Sequence, residues 1–237
     1  MKIKILLVAA VLLSIFLVEA QKRQLPVDTL VVTTGQVTIG GKVVPYRAST
    51  GTQPVWDDNG QPIASLFHTY YERTDIKDNT ARPLVISFNG GPGSASVWMH
   101  LAYTGPKILK IDDEGYPVQP YGVRENPHSI LDVADIVFVN PVNTAYSRSI
   151  PESGDKVDRS KFFGVNADIK YLADWINTFV TRKNRWRSPK YLIGESYGTT
   201  RVSGLALELQ NRQWMYLNGV ILVSPTELGI KREGIVE

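Results

Sequence analysis

The sequence predicts an α/β domain: a mostly parallel sheet flanked by helices, with antiparallel strands at its N-terminal side. Two observations point there. Pro83 to Phe88, Asp135 to Val139, Tyr191 to Ile193 and Gly219 to Val223 are short, nearly unbroken apolar runs, the pattern of strands buried on both faces. Helical patterns lie between them, and right-handed crossovers place such helices on the sheet faces.

The elements follow in chain order. Lys2 and Lys4 precede a 14-residue apolar run, Ile5 to Val18, and Val18-Glu19-Ala20 is an imperfect small-residue cleavage site before Gln21. Residues 1–20 are read as a signal peptide and 21–237 as the domain. The run is short of the ~20 residues needed to cross a ~30 Å hydrocarbon core, so an export signal is preferred to an anchor. The protein is expected to be exported, periplasmic or extracellular, with no membrane association beyond that segment. From Gln36 to Arg47, two β-rich runs flank Gly40-Gly41, a dipeptide that accepts the positive φ angles of a hairpin turn. After the turn signal Asp57-Asp58-Asn59-Gly60, Ile63 to Glu72 is rich in aromatic and β-branched residues and adds another antiparallel strand. Residues 110–130, with several Gly, Pro and Asp, read as a surface excursion. In Asp168 to Val180, apolar residues at Ile169, Leu172, Trp175, Ile176, Phe179 and Val180 form one face of an amphipathic helix. Val202, Leu205, Ala206 and Leu209 indicate a second helix after Ser196.

Composition excludes several classes. Of 237 residues, 43% are apolar and 21% charged, enough for a sizeable core and unlike a disordered tail. Zero cysteine removes thiolate nucleophiles, zinc ribbons and Cys-ligated clusters. No cofactor and no metal are expected. The formal charge of +3, or +2 without residues 1–20, cannot build a long basic stripe, so no nucleic-acid partner is expected. The densest basic run, Arg182, Lys183, Arg185, Arg187 and Lys190, is read as a solvated helix end.

The chemistry concentrates in two loops. Gly194-Glu195-Ser196-Tyr197-Gly198 is a G-x-S-x-G sequence between an apolar run and a helical pattern, the context of a nucleophile elbow. Small flanking residues permit the sharp turn that exposes the serine, and the Tyr197 N–H then points where an oxyanion would form. The second loop, Asn89-Gly90-Gly91-Pro92-Gly93-Ser94, follows the strand ending at Phe88 and can donate another oxyanion N–H. It lacks the Gly-Lys-Ser/Thr ending of a P-loop and the spacing of a dinucleotide fingerprint.

Together, Asn89 to Ser96 and Gly194 to Gly198 resemble the serine carboxypeptidase family, peptidases of the α/β-hydrolase fold. Gly105-Pro106, Asn126 to Asp132, and Asp135 to Pro141 through Tyr146-Ser147-Arg148 agree, so the likeness spans about residues 60–225. Ser94 stands where eukaryotic members often have a disulfide cysteine, which fits a bacterial-type member. The resemblance implies that Ser196 is the acylating nucleophile. It implies that Gly91 and Tyr197 supply the oxyanion-hole N–H groups, and that Asn89 and Glu195 bind the free terminal carboxylate of a peptide substrate. Members use a further Glu in that carboxylate network, and the matching position here is Tyr103, a departure that bears on terminal-carboxylate specificity and on the family's preference for acid pH.

In this fold the acid and the histidine follow the nucleophile in chain order. None of the 41 residues after Ser196 is histidine, and His68, His100 and His128 all precede it. These three are expected to be structural or surface residues. The sequence is therefore expected to be the N-terminal part of a carboxypeptidase, incomplete at its C-terminus and lacking the downstream Asp and His. The competing readings are an α/β-hydrolase esterase and a non-catalytic fragment or peptide-binding remnant. Trp98, Tyr103, Tyr146 and Tyr197 are read as core aromatics before pocket residues.

Overall fold

The computed structural model describes residues 25–151 and 156–226; the expected signal peptide, residues 1–20, lies outside them. Three long antiparallel strands come first: β1 (Thr29–Ile39), β2 (Lys42–Trp56) and β3 (Pro62–Arg73). Then follow β4 (Leu84–Phe88), the small pair β5 (Lys107–Leu109) and β6 (Val123–Glu125), β7 (Asp135–Val139) and the short β8 (Arg148–Ser149). The chain continues through α1 (Val165–Arg182), β9 (Lys190–Glu195), α2 (Tyr197–Gln213) and β10 (Gly219–Val223). The main sheet runs β1-β2-β3-β7-β4-β9-β10, with β8 on β3. Pairing is antiparallel as far as β3–β7 and parallel through β7, β4, β9 and β10.

The apolar runs work as buried strands because alternate residues enter different cores. Leu84, Ile86 and Phe88 of β4 face one core, while Val85 faces the other. In β7, Val137 and Val139 join the first core, and Ile136 and Phe138 the second. The first core is roofed by α1 through Leu172, Trp175, Ile176 and Phe179 and by α2 through Val202, Leu205 and Leu209. Gly204 lets the two helices approach, since a Cβ there would sit 2.1 Å from Ile169 Cδ1. Among the described residues, both α-helices lie on this side. The second core is closed by the β1–β2 hairpin, by Met99 of the π-helical segment Met99–Thr104 and by Leu131, so helical cover is more one-sided than expected.

The Gly40-Gly41 turn has φ of 54° and 76°, as a hairpin of this twist requires. Gly41→Ala is expected to cost about 1 kcal/mol through its left-handed backbone, measured by urea unfolding. Residues 110–130 are almost entirely exposed, as expected. The edge strand β10 departs from expectation: among the described residues Val220, Ile221 and Leu222 are exposed. The basic run departs too. Arg185 is fully buried against Asp135, and Lys190 is buried with its Nζ donating to the Trp186 and Ser188 carbonyls. These cations are partnered inside the fold instead of being solvated at a helix end. No helix of the described residues is long and apolar enough to cross a membrane.

Candidate active site

β4 and β9 are adjacent parallel strands, with Phe88 opposite Gly194, so the loops leaving their carboxyl ends emerge side by side. That register brings two sequence segments together across more than a hundred residues. At the end of β9 the chain turns sharply into α2, and Ser196 at the turn has φ 56° and ψ −125°. A non-glycine residue there is strained, and the surroundings hold it: the Ser196 amide donates to the Val223 carbonyl at 2.9 Å, and the Ser196 carbonyl accepts from the Thr199 amide at 2.9 Å. The flanking glycines are required. A Cβ on Gly194 would lie 2.1 Å from the Gly198 carbonyl oxygen, and one on Gly198 would lie 3.0 Å from that of Phe88.

The glycine loop presses against this turn. A Cβ on Gly90 would meet Ser196 Cβ, the Glu195 carbonyl oxygen and the Tyr197 nitrogen, each at 2.7 Å. Gly91 has φ 112°. Among the described residues its amide donates to no backbone or side-chain acceptor. Tyr197 opens α2, where the first N–H groups have no intrahelical acceptor. Ser196 Cβ and the Tyr197 nitrogen therefore both border Gly90, the residue that precedes Gly91. Beside it, Asn89 Nδ2 donates to Glu195 Oε2 at 3.0 Å, and Asn89 Oδ1 accepts from the Met99 amide at 3.0 Å. Asn89 is buried and fixed, whereas Glu195 is partly open.

Other expected participants are elsewhere. Tyr103 is exposed, and among the described residues no hydrogen bond joins its hydroxyl to Asn89 or Glu195. Trp98 and Tyr146 are exposed as well, so of the four aromatics read as core only Tyr197 is buried. His68 sits edge-on to Trp175 and Phe179, and His100 stacks on Phe138 with Nε2 2.8 Å from the Tyr71 hydroxyl. His128 is exposed in its turn. Among the described residues no histidine hydrogen-bonds Ser196.

Sequence reasoning missed Arg201 and Asp168. Arg201 is 1% exposed; its Nε donates to Asp168 Oδ2 at 2.7 Å, its Nη1 to the Asn89 carbonyl at 2.8 Å and its Nη2 to the Pro92 carbonyl at 3.0 Å. A signal existed: Arg201 lies in line with buried Tyr197, Leu205 and Leu209, four residues apart on α2, and a charge on such a stripe needs a buried partner. Between this pair and the glycine loop is a cavity of about 290 Å³ lined by Pro92, Val142, Phe162, Phe163, Val165 and Tyr197, among others.

A family model described as serine carboxypeptidase matches residues 45–226. Serine carboxypeptidase-like 36 of Arabidopsis thaliana is 30% identical over 168 residues, covering 69% of this chain and 32% of that protein. The pheromone-processing carboxypeptidase KEX1 of Saccharomyces cerevisiae is 26% identical over 144 residues, 60% of this chain and 19% of that one. Among solved structures, the prohormone-processing carboxypeptidase KEX1(delta)P from the same yeast matches with a TM-score of 0.60 at 21% identity, covering 77% of this chain and 39% of its own. The chain spans about a third of the length of the curated relatives it matches.

Proposed function

The chain belongs to the serine carboxypeptidase family, with the α/β-hydrolase fold, and on that basis we propose that it carries the nucleophile half of an exported peptidase acting through Ser196. The contact of Gly90 with Ser196 and Tyr197 is the observation that carries this reading, because it sets a strained, half-buried serine and the Tyr197 N–H against the residue that precedes Gly91. In the proposed reaction Ser196 Oγ attacks the carbonyl carbon of the last peptide bond. The carbonyl π pair moves to oxygen, where the Gly91 and Tyr197 N–H groups stabilise it. Collapse, with the proton taken from Ser196 passed to the leaving nitrogen, expels the C-terminal amino acid and leaves an ester on Ser196, which water hydrolyses to the shortened peptide. Asn89 and Glu195 hold the departing residue's carboxylate. The apolar cavity beside Tyr197 accommodates a side chain next to the scissile bond. A histidine base must take the Ser196 proton, and no described histidine is placed to do so.

The Asn89–Glu195 pair would equally serve a second reading, a protein that binds peptide termini without turning them over. Both are tested by incubating the protein expressed from its native gene with a fluorophosphonate and mapping the adduct. The nucleophile reading expects modification at Ser196, abolished in Ser196→Ala, with no other serine labelled. Saturable binding of a peptide with a free carboxyl terminus, without labelling, would instead establish the second. Export is a separate proposal resting on residues 1–20: the protein recovered outside the cytoplasm is expected to begin at Gln21, by N-terminal sequencing.

A further inference from the structure

The candidate oxyanion loop is held from beneath by a single guanidinium. Arg201 reaches from α2 to the carbonyls of Asn89 and Pro92, which bracket Gly91, at 2.8 and 3.0 Å. Its third contact, to Asp168 Oδ2 at 2.7 Å, ties it to α1. Asp168 is anchored in turn: its Oδ1 accepts from the Tyr171 hydroxyl at 3.1 Å, and that hydroxyl accepts from the Val142 amide at 3.1 Å. The guanidinium also lies 5.2 Å from the Tyr197 ring centroid and 5.8 Å from that of Phe88. One side chain thus touches both ends of the glycine loop, the residue that follows the nucleophile and the strand that feeds the loop.

Such an arrangement is costly to bury and poor as a source of stability alone, because an apolar pair of equal volume serves as well or better. Its particular capability is geometric. A planar fork binds two acceptors at a fixed separation, which an aliphatic or ammonium side chain cannot do. The Asn89 and Pro92 carbonyls belong to the Asn89–Gly90 and Pro92–Gly93 peptides, so the fork fixes the two ends of the loop, and the Gly90–Gly91 peptide that carries the Gly91 N–H is held between them with its carbonyl accepting from the Ser94 amide at 3.1 Å.

We propose that Arg201, oriented by Asp168, is the positioning residue of the oxyanion loop, setting the Gly91 N–H where a tetrahedral oxyanion would form. This rests on the reading of Ser196 as nucleophile and Gly91 as oxyanion donor. Loss of the fork should therefore slow acylation and leave recognition of the reagent intact.

The test uses the full chain and the variants Arg201→Lys and Asp168→Asn. Arg201→Lys keeps a cation for Asp168 but cannot hold both carbonyls. With a fluorophosphonate, its maximal inactivation rate is expected to fall about 100-fold, as when a catalytic group is displaced by roughly 1 Å, while the reagent concentration for half-maximal rate stays within about twofold. Asp168→Asn retains a hydrogen-bond acceptor and is expected to lose less. In parallel, amide hydrogen exchange of Ser94, whose N–H is bonded to the Gly90 carbonyl, is expected to quicken at least about tenfold in Arg201→Lys, with the α2 amides little changed. A folded Arg201→Lys with an unaltered inactivation rate and unaltered loop exchange would overturn the proposal. If both variants fail to fold, the parent decides: the Ser94 amide, bonded to the Gly90 carbonyl at 3.1 Å, must be protected nearly as well as the α2 core. A loop that opens independently of α2 overturns the clamp. If the parent is not labelled at Ser196, the functional reading fails by that result, while loop exchange still tests Arg201 separately.

Discussion

Replacing Asp135 by alanine is expected to remove a large part of the stability of the fold at 25 °C. Asp135 is wholly inaccessible at the start of β7. Its Oδ1 accepts from Arg82 Nε at 2.8 Å and from the Arg73 amide at 3.0 Å, and its Oδ2 accepts from Arg185 Nη1 at 2.7 Å. Arg185 is equally buried, with Nη2 donating to the Arg82 carbonyl at 2.7 Å and Nε to the Ser188 hydroxyl at 2.7 Å. Removing the carboxylate strands two buried guanidinium groups without counter-charge, a loss of about 3–5 kcal/mol. Domains of this size have about 5–15 kcal/mol in total. Asp135→Asn keeps an acceptor and loses the charge, so it should fall between parent and alanine variant. Urea unfolding followed by circular dichroism measures both, and an alanine variant within about 1 kcal/mol of the parent would show the counter-charge to be dispensable.

Acid is expected to destabilise the fold by a comparable amount. Burial holds the imidazole of His68 far below its usual range, at about 4, with the nearby Lys183 charge acting in the same direction. Burial alone brings His100 to about 4. Both are neutral in the folded chain while the unfolded chain protonates near its ordinary value of about 6.5. Below that pH the unfolded state binds more protons, so stability is complete above about 6.5 and declines as the pH falls toward 4. Each histidine then forfeits about 3 kcal/mol. Unfolding midpoints measured from pH 7.5 to 4.5 should drop steeply. The slope should be shallower in His100→Gln, which can still bond the Tyr71 hydroxyl. A flat profile would mean that neither histidine remains neutral and buried through that range. A low-pH preference for turnover, of the kind expected when carboxylates share a proton, thus runs against the fold.

Why some of this was legible and some not has physical reasons. The parallel strands were visible because burial on both faces removes polar alternation. Their adjacency in space, which brings Gly90 to Ser196, could be inferred only from the resemblance, since strand order is set by tertiary packing. The hairpin was under-read. It extends to Thr29 and Thr52, polar ends that pair with each other, their hydroxyls 2.9 Å apart. Buried charge was the main blind spot: Arg185, Lys190 and Asp168 look solvated in a local window, and only long-range partners reveal them. The two loops of the site were readable because tight turns restrict residue type to glycine, a constraint local to the chain.

The backbone at Ser196 has one further consequence. Its φ of 56° is a conformation that glycine adopts freely and serine does not. Ser196→Gly is therefore expected to raise stability by about 1 kcal/mol, read from the urea midpoint, while removing the hydroxyl. Mutational drift at this position has a direction. Unless an advantage is tied to the hydroxyl, substitution runs downhill to glycine, so the identity of residue 196 in any descendant sequence becomes a record of whether its chemistry was still in use.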